Sequence, residues 1–322
     1  MPMYDKTFLG RKAQELGFVR DTYEKMLRLA DILHHINTDQ VLGTVLALKG
    51  GTAINLAIFH LPRLSVDIDL DFTENLPKEV LIGVRERISQ ILMKYLSAEG
   101  YTLSAKTKQT HALDSFVCSY KNAAGNPDNI KIEINYALRC HALQSIETTI
   151  LSSEVFPAYK IRILSPVEIY ASKIVALSSR AAARDLYDLN NLVYFGLFDD
   201  SDLSLLRKCT VLYSAITGDT AARAFNFSKV SEMSYRTIKT DLYPMIRNAE
   251  KFDFESAKNR VLTYLSELMI LTEREATFME RFKGGRYEPQ FLFDDIDIVA
   301  RIANHPMALW RCAAIRESRD AR

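Results

Sequence analysis

At 322 residues the chain is longer than one average domain, so one large composite domain or two packed ones are expected. A hydrophobic fraction of 48% and a charged fraction of 25% suit a globular protein with a real core, and no apolar run reaches the roughly 18 residues a membrane span needs. Lys and Arg number 41 against 40 Asp and Glu, balanced in each half, which excludes a global electrostatic pull toward nucleic acid or membrane and leaves such binding to local patches. Cys118, Cys140, Cys209 and Cys312 are scattered, with no CxxC and no zinc spacing. Without a visible signal peptide they read as reduced, buried thiols of a soluble cytoplasmic protein.

Apolar side chains at Leu16, Val19, Tyr23, Leu27, Ala30 and Leu33 make a helical stripe over 14–36. The run 41–48 meets a Gly50-Gly51 turn, residues 52–59 read as a short helix, and Pro62 breaks it. Residues 66–72 form the clearest strand: Val66, Ile68, Leu70 and Phe72 face a core, and Asp67, Asp69 and Asp71 face the other way. A helix near 78–97 closes at Gly100. Strands follow near 101–108 and 112–121, and a hairpin turn at Gly125-Asn126-Pro127-Asp128 leads into a third clear strand over 130–136. Beyond about residue 160 the pattern is helical. Ser165-Pro166-Val167-Glu168 reads as a capping box with Pro at the first helical position, opening a helix to about Ser179. A second helix starts near Arg184, and breaks fall at Gly284-Gly285 and near Pro289. The expected class is α+β, a small mixed sheet with flanking helices and then a helical C-terminal half.

The strand carries the strongest chemical signal. Alternate residues lie roughly 7 Å apart on one face, so Asp67 and Asp69 are near neighbours that repel unless a cation sits between them. Mg²⁺ takes one or two carboxylates plus substrate phosphates. Alone, the alternation reads more readily as the wet face of an edge strand, because half-exposed strands are common. The Gly50-Gly51-Thr52 turn adds a second half, because a strand–Gly–Gly–Thr–helix arrangement aims backbone N–H groups and a hydroxyl at a phosphate. A Walker sequence and GxGxxG are both absent, which argues against P-loop and dinucleotide-binding folds. The six histidines show no metal spacing. Lys283, Arg286 and Tyr287 read either as a basic-aromatic loop for RNA or as a structural loop.

The segment 48–72, LKGGTAINLAIFHLPRLSVDIDLDF, resembles the signature of the AbiEii-type nucleotidyltransferase toxins, a branch of the polymerase-β-like superfamily. IKIEINYALR at 130–139, KIVALSSRAAARDLYDLNNL at 173–192, and GRYEPQFLFDD followed by HPMALW near the end are similar to that family too. The resemblance implies a polymerase-β-like nucleotidyltransferase mixed sheet with flanking helices over 1–160. It implies a mainly helical C-terminal domain over 161–322 that contributes Lys173 and Asp188 to the site. The implied activity moves an NMP from an NTP to an acceptor with Mg²⁺ or Mn²⁺. The acceptor would be RNA, the 3′ end of tRNA in the best-understood members. The setting would be a toxin–antitoxin or phage-defence pair with a cognate antitoxin protein.

Carried over by position, Gly50, Gly51 and Thr52 contact the triphosphate and Asp67 and Asp69 hold metal and act catalytically. Glu133 is the third carboxylate, with Asp71 its competitor and a solvated strand residue the alternative. Lys173 becomes a triphosphate ligand rather than a lysine snorkelling to water. Asp188 orients Lys173 or activates the acceptor. Outside that match, Arg63 and Ser65, which flank the site, and Arg184 are read as further nucleotide contacts. Their alternatives are a surface arginine, a serine shaping its own turn, and a local ion pair across i,i+4 to Asp188. Two rival functions stay open, nucleotidylation of a protein hydroxyl and a nucleotide-binding regulator without turnover.

Overall fold

The computed structural model describes residues 5–150, 158–217 and 225–320. The chain divides into two compact units. One holds the residues up to Arg139 together with Ser145–Leu164 and Tyr243–Glu250; the other holds Cys140–Gln144, Ser165–Leu242 and the chain from Lys251 onward. The return of Tyr243–Glu250 to the first unit has visible ties: Leu64 N–H donates to the Met245 carbonyl at 2.7 Å and Asn248 N–H to that of Gly17 at 2.7 Å.

The first unit is built on a mixed sheet. In chain order its described strands are β1 (Leu46–Lys49), β2 (Asp67–Phe72), β3 (Thr102–Leu103), β4 (Lys108–Gln109), β5 (Leu113–Lys121), β6 (Pro127–Asn135), β7 (Ile146–Ile150) and β8 (Tyr159–Ile163). Their order is β3-β5-β6-β2-β1-β8-β7, with β4 also on β5. β2 runs parallel to β6 and β1 parallel to β8; the other pairs are antiparallel. Sequence reading missed β7 and β8: β7 is a largely exposed edge strand with a weak pattern, whereas β8 alternates buried Tyr159, Ile161 and Ile163 with more exposed Lys160 and Arg162, a two-residue period that could have found it. The segment expected as one strand over 101–108 is two short ones, with Ser104–Thr107 turning between them (Thr107 N–H to the Ser104 carbonyl, 2.9 Å).

The expected stripe over 14–36 is divided between helices Lys6–Leu16 and Arg20–Thr38. Gly17, at φ +76°, caps the first by donating to the Ala13 and Gln14 carbonyls, a left-handed cap that glycine adopts without Cβ strain. Tyr23, Leu27, Ala30 and Leu33 are buried, whereas Leu16 and Val19, flanking that break, stay exposed. Leu33 and Ile36 gather with Leu46, Leu48, Leu70 and Ile161 on one face of the sheet. Helix Lys78–Ala98 covers the same face farther along, since Ser89 accepts from Gln109 and Arg85 binds Asp114. One face is therefore packed, and β2, β5 and β6 alternate buried apolar residues with more exposed polar ones.

The second unit is helical: Pro166–Arg180, Ala183–Phe195, Asp200–Thr217, Phe254–Leu268, Glu273–Lys283, Ile296–Ile302 and Pro306–Asp320 are its longer members among the described residues. The expected capping box at Ser165 does not form. Ser165 is the N-cap with Pro166 following, but its side chain makes no cap bond. Glu168 is instead fully buried, its Oε1 accepting from Ala142 N–H at 2.8 Å and from the Tyr213 hydroxyl at 2.8 Å. Joining three segments competes with capping for the one carboxylate, and joining them wins. A true capping box forms at Thr272 and Glu275, where sequence reading placed none.

Burial holds the Glu168 carboxyl above the usual carboxylate range, against the opposing pull of His141, Tyr213 and the Ala142 N–H. The folded state therefore holds this proton more tightly than the unfolded one. The stabilising contribution is full below about pH 4.3, the unfolded value, and is lost as pH rises through the raised folded value. Glu168→Gln keeps an acceptor for both donors without the buried charge. Thermal melts should show the variant's melting temperature gaining on the wild type from pH 5 to pH 8, by about 2–4 °C for each kcal/mol relieved. Parallel curves across that range would mean Glu168 carries no net charge penalty.

All four cysteines are buried and unbridged, and no described helix is long and apolar enough to cross a membrane.

Candidate active site

β1 ends at Lys49, and the chain turns through Gly50 at φ +69° into one helical turn, Gly50–Thr52, which continues as a π-helix over Ala53–Ile58. The expected helix over 52–59 is thus present but wider than an α-helix. Asn55, fully buried, donates its Nδ2 to the Gly51 carbonyl at 2.7 Å and locks the turn from behind. His60 and Leu61 both adopt left-handed conformations (φ +53° and +70°) before Pro62. A β-bridge from Arg63 to Ile246 follows, and then the run into β2. Two consecutive non-glycine residues there store backbone strain of roughly 1–3 kcal/mol each, a cost found where a site's shape demands it.

This return path sets Arg63 and Ser65 beneath the glycines. Arg63 is 2% exposed, so it is not a surface arginine, and its Nη1 donates to the Leu64 carbonyl at 2.9 Å. A methyl group on Gly51 would sit 2.8 Å from Arg63 Nη2 and 3.3 Å from Ser65 Oγ. Thr52, also buried, joins Ser65 Oγ at 2.9 Å and donates to the Asp67 carbonyl, so its hydroxyl ties the turn to β2. A methyl on Gly50 would sit 2.6 Å from Asp69 Oδ2. A side chain there would force the Asp69 carboxylate or the turn to shift.

On β2, Asp67 and Asp69 are half-buried on one face, as the alternation predicts, with Ile68, Leu70 and Phe72 buried on the other. Asp71 departs from the expected wet face. It is 2% exposed, and Lys49 Nζ lies 2.5 Å from its Oδ1. Lys49 escaped sequence reading; its place before the glycines is a signal, but its partner is visible only once β1 pairs with β2. The parallel register with β6 sets Glu133 directly beside Asp69, and the antiparallel register with β1 sets Lys49 on its other side. Glu133 also meets Lys131 Nζ at 2.9 Å.

The first unit thus brings together Gly50, Gly51, Thr52, Arg63, Ser65, Asp67, Asp69 and Glu133. Among the described residues, no three His, Cys, Asp or Glu side chains converge closely enough to hold a metal ion by themselves. The donors at β2 and β6 are all carboxylate oxygens, the chemistry that Mg²⁺ or Mn²⁺ accepts when substrate phosphates and water complete the shell.

The second unit holds a separate ionic cluster. Lys173, 7% exposed on helix Pro166–Arg180, places Nζ 2.8 Å from Asp185 Oδ1 and 3.1 Å from Asp188 Oδ2 on helix Ala183–Phe195. Lys173 does not snorkel to water. Arg180 donates twice to Asp185, at 2.8 and 3.1 Å, a partner that sequence reading did not consider. Burial alone would raise the Asp185 carboxyl, but Lys173 and Arg180 outweigh it and hold it below its usual value. Arg184 is half-buried one residue before Asp185. Tyr287 packs edge-on to Phe282 and donates its hydroxyl to the Ile302 carbonyl at 2.9 Å, so the aromatic part of the loop Lys283–Tyr287 is structural.

The family profile described as "Nucleotidyl transferase AbiEii toxin, Type IV TA system" matches residues 31–291. A structure similar to this one is that of MenT4, a nucleotidyltransferase toxin from Mycobacterium tuberculosis H37Rv. It has 18% sequence identity and a TM-score of 0.60, covering 95% of this chain and 99% of that one. The likeness shows that the two share the α+β fold, a mixed sheet with flanking helices and a mainly helical C-terminal part. No curated protein sequence matches the chain.

Proposed function

The chain belongs to the AbiEii family of nucleotidyltransferase toxins of type IV toxin–antitoxin systems, and from that premise we propose that it moves an NMP from an NTP to an RNA hydroxyl, at the 3′ end of tRNA. The observation that supports a nucleotide site most directly is the seat of Gly50 against Asp69, a place where any side chain would collide with the carboxylate. The left-handed backbone of Gly50 already favours glycine in a tight turn; its seat against Asp69 adds that the same turn brings backbone up to a candidate metal-binding carboxylate.

In this reading Asp67 and Asp69 hold Mg²⁺ or Mn²⁺, with Glu133 as the third carboxylate because it lies beside Asp69. Asp71 is buried with its carboxylate on Lys49, whereas Glu133, though paired with Lys131, stays more exposed. The metal, when bound, supplies charge neutralisation at the triphosphate and a lowered barrier to deprotonating the acceptor. Gly50, Gly51 and Thr52 shape the backbone that receives the phosphates, and Arg63 and Ser65 support that backbone from below. The RNA hydroxyl oxygen forms a bond to the α-phosphorus, the bond to the departing pyrophosphate breaks, and the hydroxyl proton leaves to solvent. Positioning and fixed charge carry most of such a step. Lys173 is a triphosphate ligand, with Asp188 orienting it and Arg184 a further phosphate contact. A cognate antitoxin is the expected protein partner, and phage defence the setting.

The experiment is incubation with each labelled NTP and total RNA, followed by location of the label. Label on RNA supports the reading; label on protein would replace it with nucleotidylation of a side-chain hydroxyl, and no label on either would leave a regulator that does not turn over. For Lys173, calorimetric titration of Lys173→Ala with a non-hydrolysable NTP should show affinity reduced about tenfold or more, the ~1.5–3 kcal/mol of a charged hydrogen bond. Asp188→Ala should lower turnover more than binding. Unchanged affinity in the lysine variant would transfer triphosphate recognition to another cation.

A further inference from the structure

The face that carries Asp67 and Asp69 does not end at β6. Cross-strand partners point to the same side of a sheet, so the register extends this face from Glu133 and Lys131 on β6 to Ser115 and Val117 on β5, and from Ser115 to Lys108 on β4. Ser119 and Lys121 continue it along β5. Helix Lys78–Ala98 lies on the opposite side, where Arg85 covers Asp114 and Ser89 meets Gln109. The near side is therefore open: Ser115 and Ser119 are half-exposed, and Lys108 and Lys121 are exposed.

Charge divides this face sharply. Its acids, Asp67, Asp69, Asp71 and Glu133, are confined to β2 and β6. The sole acid of β5 is Asp114, fully buried on the other side. From β6 outward the face carries Lys131, ion-paired with Glu133, and then the exposed Lys121 and Lys108, with Ser115, Val117 and Ser119 between them. β2 and β4 are three strand spacings apart, about 14 Å. We propose that this flank, β6–β5–β4, is the docking surface of the acceptor RNA. The lysines lie against its phosphodiesters, the serines hydrogen-bond to phosphate or ribose, and the strand runs with its terminal hydroxyl toward the carboxylate pair. A polyanion is repelled by the carboxylates themselves, so the acceptor needs a cationic approach that leads to them, and the register places one on the same face. This rests on the RNA-acceptor reading above.

The test uses the full chain with Lys108→Gln/Lys121→Gln, two exposed changes outside the site, and separately Ser119→Glu, which sets an acid on the face without removing a lysine. Binding of a 5′-fluorescein-labelled single-stranded RNA is followed by anisotropy across a salt series, beside transfer kinetics and NTP affinity. Single-stranded binding loses about 0.7 of log–log salt slope for each phosphate contact removed, so the double variant should lose about 1.4. Its KM for RNA should rise several-fold, with kcat and NTP affinity unchanged, and Ser119→Glu should raise KM likewise. If the wild type labels RNA and both variants retain its KM and salt slope, the docking surface is wrong and the RNA reading stands. If the wild type labels protein and not RNA, the two fall together.

Discussion

Asp67→Ala and Asp69→Ala will each lower NTP-dependent transfer by at least about 10²–10³-fold, the loss typical of removing one preorganised charge partner from a reacting centre, and neither will unfold the protein. Both side chains are only half-buried, on the face of β2 opposite to Ile68, Leu70 and Phe72, so their removal opens no cavity in the core. Taking away one of two neighbouring like charges also relieves repulsion in the metal-free protein, so melting temperature without Mg²⁺ should hold or rise. The wild type should gain stability when Mg²⁺ and a non-hydrolysable NTP are added together, since a ligand bound only by the folded state stabilises it by mass action; both variants should lose that gain. Wild-type rates in either variant, with Mg²⁺ still required, would remove these residues from the metal site.

Gly50→Ala should be nearly as damaging by a different route. Its left-handed backbone costs an alanine about 1–2 kcal/mol, and the new methyl would lie 2.6 Å from Asp69 Oδ2. One of the two must move, and a misplacement of about 1 Å at a reacting centre costs on the order of 10²-fold in rate. Gly125→Ala is the matched control: φ there is +84°, so the backbone penalty is similar, but nothing lies within 4 Å of the added methyl. Melting temperatures of the two variants should fall comparably, whereas only Gly50→Ala should lose transfer activity. Equal activity in both would mean that the glycine serves the turn and not the carboxylate.

How far these residues could be read from sequence follows from the range of the interaction that places each. The β2 alternation is local, a two-residue period written into 66–72, and it emerged with its faces assigned correctly; only the burial of Asp71 on its face was not legible. That exception has a tertiary cause. Whether a strand aspartate faces water or an ammonium depends on which strand lies beside it, and the pairing of Lys49 with Asp71 crosses 22 positions of sequence. Glu133 is the converse case. Its polar position on β6 was legible, but its place beside Asp69 follows only from the parallel register of two strands some sixty residues apart.

The capping box at Ser165 failed for a related reason. Its four residues have the right types at the right spacing, and Pro166 does start the helix, yet Glu168 is drawn inward by donors on Ala142 and Tyr213. A local rule sees only the local partner. β7 was missed because a largely exposed edge strand carries little periodicity, whereas Tyr159, Ile161 and Ile163 of β8 do alternate with Lys160 and Arg162, a local signal that the helical reading from about residue 160 passed over.

What the sequence alone determined is therefore the chemistry and the local geometry: an α+β chain, a Gly-Gly-Thr turn, two aspartates on one strand face, and a family signature spread over most of the length. These depend on residue type and short period, which the chain carries without folding. What only the tertiary structure decided is which groups meet. Arg63 is buried under Gly51, Gly50 is seated on Asp69, Asp71 is given to Lys49, Lys173 is held between Asp185 and Asp188, and the cationic flank of β4–β6 is continuous with the carboxylates. Each of these rests on strand register, helix packing or a chain return, and such contacts between distant residues are set by burial and hydrogen-bond satisfaction across the whole unit.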